Sequence, residues 1–559
     1  MNIFIAETIE EIEFIISKTK NIKNFKVLPL DLEVLAYCKK NVIQSINLIN
    51  LLTNDQQKQI LFYSKKLINS LIIEKSLPLS LKKILFDFVR KRFFSAAFLN
   101  ICLEAIKLNN KNDRIYISGW TSRFESSDKK LYLNSKIILE FYPKQLVINL
   151  SNKIKTKNYF NDLYNYEISD LSSLKKKTVL FTSLGYNLGR IIKIFILKKY
   201  KVLIFNENKI SLFKKIIFKI LGVKFLYFSQ KEKIKSYNIS IKKINFIFNK
   251  KNYSRYLNNE IQVFLEKFKN LSLKCKAIDK FISNNKIDYI ISVMSRNYQG
   301  YFAESAFGTS TKSICISHGT VTESFNKYDK IYKDIIKEAV FDGKFNYFAV
   351  QSKIANSVKK LRFGRKLITG NLIFSENQGN NILKKKNHIL YAVTYKSFSN
   401  LQIYGVELYS EFYNNLEFLN KFSSQHKIKI IVHLHPNISL NTIKLLEGIF
   451  LNLIFSQGNI KKSLKNAFVT LSFSSTAIED SIFSNIPVVL FDRWNRYIHC
   501  KSEHNLKKLN QPIYYVNNEN KLLSAIKIIS QSNQINFSKI RFKNNLKRNI
   551  TNFFDKIKI

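Results

Sequence analysis

The feature that most constrains the fold is the alternation of short, β-branched apolar runs with longer amphipathic stretches along most of the chain. This alternation is typical of parallel strands joined by crossover helices, so the predicted fold class is α/β. The predicted strands fall into two sets, which indicates two Rossmann-like doubly wound domains. They are 2–6, 26–30, 178–182, 201–205, 288–293, 313–317 and 347–350, then 388–393, 428–433, 467–473 and 487–491.

The length of 559 residues exceeds that of one ordinary domain. A boundary is predicted near residues 370–386, where a turn-rich, polar stretch ends in a lysine run before a new strand begins. Residues 176–370 and 371–559 are therefore the two predicted Rossmann-like domains. Residues 1–175 are an accessory α/β-helical region, either separate or part of the first domain. Within it, 40–110 are predicted to be helical, and 111–175 to hold shorter, antiparallel strands.

Composition excludes several classes of protein. Hydrophobic residues make up 46% of the chain and aromatic residues 14%, enough for ordered cores. The five cysteines lack C-x-x-C spacing, which argues against a zinc site or a disulfide framework. The first residues do not form a signal peptide, and no run approaches the roughly 18 apolar residues that span a bilayer. We expect a cytoplasmic protein, soluble or peripheral at the inner face of the inner membrane.

The formal net charge of +51 has two explanations. Most of the positive charge is lysine spread along a sequence rich in Ile, Asn and Phe, as an AT-biased genome would produce. Alternatively, the charge attracts anionic partners such as nucleotide phosphates, an anionic glycan or an anionic membrane surface. The basic patches at 359–362, 384–386 and 507–508 are candidates for membrane contact. No nucleic-acid recognition module accompanies the charge, so no nucleic-acid partner is expected.

Candidate site residues were sought where strands end, because doubly wound sheets bind ligands at the carboxyl edge of their strands. In the segment IKIIVHLHPN, His433 and His435 are two residues apart, hence on one side of a strand, and Pro436 ends the ladder. We interpret His435 as an imidazole at the rim of a site. The alternative is a histidine that only satisfies hydrogen bonds within the fold.

The segment AFVTLSFSSTAIEDSIFSNIPVVLFD predicts a strand, a hydroxyl-rich turn, a helix and a second strand. Ser474, Ser475 and Thr476 fall where the helix begins, a place whose free N–H groups and dipole favour a phosphate. A capping box between Thr476 and Glu479 would explain the same pattern without a ligand. Asp492 ends the following strand and precedes polar and aromatic residues suited to a ribose, a base or a sugar.

In the first domain, the segment SICISHGTVTESF places His318 and Gly319 at a strand end, where glycine permits close approach of a ligand. His318 is a candidate base for a hydroxyl acceptor, and the alternative is a turn glycine beside a partly buried histidine. The turn at 182–190, TSLGYNLGR, matches neither the dinucleotide fingerprint nor the P-loop spacing.

Together, the His-Gly pair, HLHPN, SFSSTAIED and PVVLFD resemble the bacterial capsule and surface-polysaccharide transferases of the GT-B fold over roughly residues 290–500. Related arrangements are the Kdo and sialic-acid polymer transferases and the CDP-glycerol glycerophosphotransferases. The resemblance implies that His435 with Pro436, and the hydroxyls at 474–476, bind the phosphates of a nucleotide donor. We extend this predicted site to Glu479 and Asp492. Polysialyltransferases carry an acidic pair before a glycine; Phe341-Asp342-Gly343 has one carboxylate, so the base stays open between His318 and Asp342.

The sequence contains no D-x-D motif, which predicts a metal-independent transferase without a cofactor. The expected donor is a CMP-, CDP- or UDP-linked sugar, and the expected acceptor is a growing surface polysaccharide or a lipid-linked glycan. Two alternatives are a CDP-glycerol-type polyol-phosphate transferase and a non-catalytic assembly protein that docks on glycan or membrane.

Overall fold

A computed structural model describes the chain apart from residues 74–76, 109–111, 121–132, 152–162, 169–176, 186–187, 206–211, 235–236, 238, 318–320, 359, 376–386, 396–406, 533, 543–545 and 558–559. Its described part contains three parallel sheets that follow one another along the chain. The predicted α/β class with Rossmann-like doubly wound sheets is confirmed, and all eleven predicted strands are present.

The N-terminal sheet has the strand order β2-β1-β3-β4, with every neighbouring pair parallel. Its elements are β1 (Asn2–Ala6), α1 (Ile9–Lys18), β2 (Phe25–Pro29), α2 (Leu32–Lys40), α3 (Asn54–Ser70), α4 (Leu79–Ile106), β3 (Arg114–Ile117), α5 (Asn134–Phe141) and β4 (Val147–Asn149). The first two strands pair with each other and with β3, not with the middle sheet. Of the antiparallel strands predicted within 111–175, β3 and β4 are instead parallel, whereas Leu163–Ile168 pairs antiparallel with Phe228–Ile234. A buried parallel strand has the same apolar sequence pattern in either sheet, so the pattern does not indicate which strand it pairs with.

The middle sheet has seven parallel strands in the order β15-β14-β13-β12-β6-β7-β8. Between the first two sheets, β5 (Leu163–Ile168) pairs antiparallel with β9. The elements are β6 (Thr178–Phe181), α6 (Gly189–Leu197), β7 (Lys201–Phe205), α7 (Leu212–Ile220), β8 (Lys224–Leu226), β9 (Phe228–Ile234), β10 (Ile247–Phe248), β11 (Lys251–Asn252), α8 (Ser254–Asn284), β12 (Tyr289–Ser292), α9 (Asn297–Ser305), β13 (Lys312–Cys315), α10 (Lys327–Val340), β14 (Tyr347–Val350) and β15 (Arg365–Ile368).

The C-terminal sheet has the order β18-β17-β16-β19-β20-β21, the doubly wound order in which the winding direction reverses between β16 and β19. Its elements are β16 (His388–Ala392), α11 (Tyr409–His426), β17 (Lys429–Leu434), α12 (Leu440–Ile449), β18 (Leu453–Gln457), α13 (Ile460–Leu464), β19 (Ala467–Ser472), α14 (Ala477–Phe483), β20 (Val488–Phe491), β21 (Ile513–Val516), α15 (Glu519–Gln531) and α16 (Leu546–Ile557).

The central strands are buried at every position because helices cover both faces of each sheet; examples are β6, β12 and β16. The last helix, α16, packs against the middle sheet, where Phe553 and Phe554 join its core. Tyr289 Oη also donates to the backbone oxygen of Ile557, at 3.2 Å. Among the described residues, no helix combines the length and apolarity needed to cross a bilayer.

Candidate functional site

The carboxyl edge of the C-terminal sheet presents hydroxyls at the point where the strand order reverses. Ser472, the last residue of β19, donates its hydroxyl to the backbone oxygen of Ala392 at the end of β16, at 3.1 Å. After the buried Phe473 come Ser474 and Ser475, which are half-buried, and Thr476, which is exposed. Open α/β sheets bind ligands at this reversal point, because the connections on either side leave toward opposite faces.

The start of α14 does not use the capping box that the sequence offered. Thr476 is the N-cap residue in a helical conformation, with φ −61° and ψ −15°, and its side chain makes no capping bond. Instead, Ser475 Oγ accepts from the N–H of Ala477 at 3.3 Å. Glu479 is buried, 1% exposed, with its charge close to Tyr497 and Cys500. Helix capping therefore explains why a hydroxyl residue stands at position 475. It does not explain the hydroxyl at Thr476, which makes no capping bond.

The two histidines of the HLHPN segment occupy different environments. His433 lies within β17, and its Nδ1 is 3.1 Å from Ser456 Oγ and 3.0 Å from Ser463 Oγ. Burial lowers the pKa of His433, which keeps its ring neutral. His435 lies one residue beyond the strand and is half-buried. Its Nδ1 accepts from the N–H of Asn437 at 3.2 Å, which assigns the proton of the neutral ring to Nε2.

The imidazole of His435 and the hydroxyl segment share one edge of the sheet. Strands β17 and β19 flank β16 on either side, and all three are parallel. Two strand spacings separate their ends by about 10 Å, the scale of a nucleotide diphosphate with its sugar. Pro436 is exposed beside His435 and directs the chain into α12.

Asp492 organises the loop that follows β20. Its Oδ1 accepts from the N–H of Trp494 at 3.1 Å, and its Oδ2 accepts from the N–H groups of Arg496 and Tyr497 at 2.9 and 3.0 Å. Tyr515 Oη donates to Oδ2 as well, at 3.1 Å. Burial raises the pKa of Asp492 against the opposing effect of these bonds. Both carboxylate oxygens are therefore engaged inside the protein.

The same loop is tied to the N-terminal region through a buried arginine. Arg496 is 1% exposed, and its guanidinium donates to Glu411 on α11 at 2.7 Å and also to Gln57 on α3. Glu411 in turn accepts from Gln57 Nε2 at 3.3 Å and from the N–H of Leu408 at 2.9 Å. This cluster fixes the loop relative to two neighbouring helices.

Loops from the middle and C-terminal sheets meet at what we call the inter-sheet junction, formed by Thr322, Lys333, Ser474, Tyr497 and His499. Thr322 donates its hydroxyl to the backbone oxygen of His499, and Lys333 Nζ donates to that of Ile498 at 2.8 Å. Burial raises the pKa of Tyr497, and the Ser474 side chain opposes that shift, so Ser474 lies near this ring. The loop that follows β13 therefore contacts the loop that follows β20, and Ser474 lies beside the latter.

Two buried nitrogen groups of the junction have shifted pKa values. Burial lowers the pKa of Lys333 to about 8, although Asp329 lies 3.7 Å away. Burial and the charge of Lys333 lower the pKa of His499 to about 3. Within the described part of the chain, the Nε2 of His499 has no hydrogen-bond partner. Lys333 is not predictable as a site residue from the sequence, because a lysine on an amphipathic helix ordinarily indicates a solvent-facing position.

Of the two candidate bases, one falls outside the described residues and the other lies apart from the junction. His318 belongs to the undescribed segment 318–320, which is flanked by Ser317 and Val321. Asp342 precedes β14, and its backbone oxygen accepts from the buried Lys83 of α4, whose Nζ is 4.0 Å from Asp342 Oδ2. Burial raises the pKa of Asp342. The described partners of Asp342 come from the N-terminal and middle regions, not from the C-terminal sheet.

The remaining chemical question is metal ligation within the described residues. No group of three or more His, Cys, Asp or Glu side chains there is placed to hold a metal ion.

No model of a known protein family matches the chain, and no curated protein matches it. Similar solved structures include the UDP-GlcNAc 2-epimerase from Neisseria meningitidis bound to UDP-GlcNAc, at 10% identity and a TM-score of 0.38, covering 68% of this chain and 99% of that one. The wall teichoic acid polymerase TagF is similar at 11% identity and a TM-score of 0.37, covering 69% and 89%. AviGT4, a glycosyltransferase involved in avilamycin A biosynthesis, is similar at 7% identity and a TM-score of 0.32, covering 68% and 97%.

Proposed function

We propose that the chain is a GT-B glycosyltransferase that moves a sugar from a nucleotide-activated donor to a growing surface polysaccharide or a lipid-linked acceptor. The observation that carries the proposal is the inter-sheet junction, where Thr322 of the loop following β13 contacts the backbone of His499 in the loop following β20. A transferase with two Rossmann-like sheets needs this arrangement, because donor and acceptor must approach each other from different sheets.

In this proposal the donor phosphates lie along the carboxyl edge of the C-terminal sheet. His435 donates from Nε2 to a phosphate oxygen, and Pro436 holds the turn beside it. The hydroxyls of Ser474, Ser475 and Thr476 supply further donors, so leaving-group charge is stabilised without bulky side chains. Asp492 and Glu479 act from inside the protein by positioning the loop and helix that frame the site.

The base is proposed to be His318 in preference to Asp342. His318 lies in the loop whose described residue Thr322 contacts the junction, whereas the described partners of Asp342 lie elsewhere. The base would take the proton of an acceptor hydroxyl while the bond between the sugar and the donor phosphate breaks, and the phosphate site would hold the leaving nucleotide. We propose the same reaction in the cytoplasm, at the inner face of the inner membrane.

A ligand panel tests the donor site directly. Thermal unfolding would be followed with CMP, CDP, UDP and GDP, because a ligand that binds only the folded state raises the unfolding temperature. We expect one nucleotide to stabilise the chain well above the others, and the shift to be lost in Ser474→Ala/Thr476→Val. Absence of a shift with every nucleotide would contradict a nucleotide-dependent transferase.

A donor screen then separates the reaction classes. Purified protein would be incubated with CMP- and UDP-sugars and with CDP-glycerol, and release of free nucleotide and transfer products would be measured. Turnover of a sugar nucleotide supports the proposal. Turnover of CDP-glycerol alone would replace it with a polyol-phosphate transferase, and absence of turnover with bound nucleotide would favour a non-catalytic binding protein.

A further inference from the structure

Helix α7 of the middle sheet exposes an apolar face. Ile216, Ile217, Ile220 and Leu221 are 49%, 41%, 80% and 48% exposed. They lie at positions i, i+1, i+4 and i+5, so they share one side of the helix. Leu221 continues the helical hydrogen bonding, since its N–H donates to the backbone oxygen of Ile217 at 3.1 Å. Four adjacent apolar side chains in water are unusual for a helix on the surface of a domain.

The helix is held to the sheet by its opposite side. Phe218 is half-buried, and its ring lies 5.7 Å from that of Phe225 on edge strand β8. The helix therefore already packs against the sheet through another side, and the exposed apolar face is additional to that contact. Two further exposed apolar residues flank it along the chain: Leu197 at the end of α6 is 69% exposed, and Tyr227 just after β8 is 59% exposed.

The stretch of sequence that carries this face is strongly basic. Between residues 189 and 228 the sequence has ten basic residues and one acidic residue, Glu207. The basic residues are Arg190, Lys193, Lys198, Lys199, Lys201, Lys209, Lys214, Lys215, Lys219 and Lys224. Over the whole chain the corresponding counts are 91 and 40, so acidic residues are depleted here well beyond the general lysine excess. A second copy of the same surface would be repelled, whereas an anionic surface would be attracted.

We infer that the exposed face of α7 docks on an anionic phospholipid bilayer, with its isoleucines in the interfacial region and the surrounding lysines at the headgroups. Interfacial helices combine an apolar side with a lysine-rich border in this way. Docking through α7 would place the middle sheet, the proposed acceptor side, against the membrane. The inference rests on the proposed function only for the reason why docking would be useful. Its test uses neither donor nor acceptor.

The test is co-sedimentation of the full chain with vesicles of phosphatidylcholine containing about one third phosphatidylglycerol. Apolar contact is less sensitive to salt than charge attraction, so we expect binding to weaken yet persist at about 0.3 M salt. Ile216→Ser/Ile220→Ser should reduce binding roughly tenfold or more under these conditions. The matched control is Leu440→Ser/Leu451→Ser, which removes two leucines that are 70% and 82% exposed on the C-terminal unit, and it should bind as the unmodified chain does.

A local readout shows which surface touches lipid. Ile220→Trp should shift its fluorescence to shorter wavelength on vesicles and be quenched by brominated lipids, whereas Leu451→Trp should not. Equal binding of the isoleucine variant and its control, absent quenching at position 220, or no binding of the unmodified chain would each overturn the inference. Concentration-dependent dimerisation that Ile216→Ser/Ile220→Ser abolishes would assign the face to a second copy. Each of these failures leaves the ligand panel for the transferase unaffected.

Discussion

The N-terminal and C-terminal sheets are both parallel and doubly wound, yet their carboxyl edges differ in what they offer a ligand. In the N-terminal sheet the reversal lies between β1 and β3, and the residues that follow these strands include Glu7 and Ser118. In the C-terminal sheet it lies between β16 and β19, followed by the hydroxyls of 474–476. The same topology therefore places carboxylates at one edge and hydroxyls with an imidazole at the other.

The N-terminal edge is filled by its own side chains. Glu7 and Glu11 are 5% and 0% exposed, and Glu7 Oε1 accepts from the N–H groups of Leu133 and Asn134. Glu11 accepts from the hydroxyl of Ser118 and from Asn134 Nδ2, the latter at 3.2 Å. Two buried carboxylates repel an anion, and three of their four oxygens already accept hydrogen bonds from neighbouring groups. This edge is suited to holding the fold together.

The C-terminal edge keeps its polar groups at the surface. Thr476 is exposed, and Ser474 and His435 are half-buried, while the loop behind them is secured by Asp492 and Arg496. The sheet topology thus indicates where a ligand could bind. Whether it binds depends on whether the polar groups at that edge are already hydrogen-bonded within the protein.

The largest expected effect concerns the buried cluster that holds the C-terminal loop. Arg496→Met would leave Glu411 buried without its guanidinium partner, and breaking such a pair costs about 3–5 kcal/mol. The matched control is Arg493→Met in the same loop, where the guanidinium is partly exposed and the expected cost is below about 1 kcal/mol. Urea unfolding of both variants measures the difference. Equal midpoints would show that the loop does not depend on Arg496.

The next effect separates the two histidines of the HLHPN segment. His435→Ala should lower transfer about hundredfold and weaken nucleotide binding while circular dichroism stays unchanged, because the residue lies at the rim. His433→Ala should lower the thermal stability and leave nucleotide binding in the folded protein unchanged. It removes hydrogen bonds to Ser456 and Ser463 inside the sheet. Donor titration and thermal unfolding of both variants provide the comparison. Normal binding and turnover in His435→Ala would make the donor-site assignment wrong.

Sequence patterns identified what repeats along the chain and missed what depends on tertiary contacts. The eleven predicted strands were found because buried parallel strands are continuous apolar runs. Whether residues 1–175 are separate or part of the first domain stayed open, since nothing in the run at residues 2–6 states which strand it pairs with. The hydroxyl segment was found from its place between two strands. The burial of Lys333 and Arg496 was not, because it arises from loops and helices distant in sequence.

A smaller effect concerns the pH dependence of the N-terminal edge. Burial raises the pKa of both Glu7 and Glu11 above the ordinary value of 4.5, and the charge of Glu11 raises the pKa of Glu7 further. The folded state therefore binds more protons than the unfolded state, so stability falls as pH rises from about 4.5 through the folded pKa values. Glu7→Gln keeps an acceptor oxygen for Leu133 and removes the charge. It should flatten this fall by on the order of 1 kcal/mol between pH 5 and pH 8.

Trp120 gives a local measure of this effect. Its ring centroid lies 4.9 Å from that of Phe14 on α1, and Trp494 is the only other tryptophan of the chain. Urea unfolding followed by fluorescence in a Trp494→Phe background therefore reports the N-terminal unit. Glu10→Gln, an exposed position on the same helix, is the control and should leave the pH dependence unchanged. An unaltered fall in Glu7→Gln would contradict the view of this edge as a buried carboxylate pair.

The smallest expected effect is that of removing divalent metal. The sequence has no D-x-D pair, and the proposed donor site uses an imidazole Nε2–H and hydroxyls at the carboxyl edge of the C-terminal sheet. These groups can hold the charge of the leaving nucleotide by hydrogen bonds alone. Transfer should therefore be unchanged in excess EDTA, and added Mg²⁺ or Mn²⁺ should not raise it. The assay should include Ser474→Ala/Thr476→Val, because loss of the hydroxyls should lower activity equally with and without EDTA. Strict dependence on Mg²⁺ or Mn²⁺ would overturn the metal-independent mechanism. A required metal would need carboxylate ligands. Of the residues assigned to the C-terminal site, the carboxylates are Asp492, which is already hydrogen-bonded, and Glu479, which is buried.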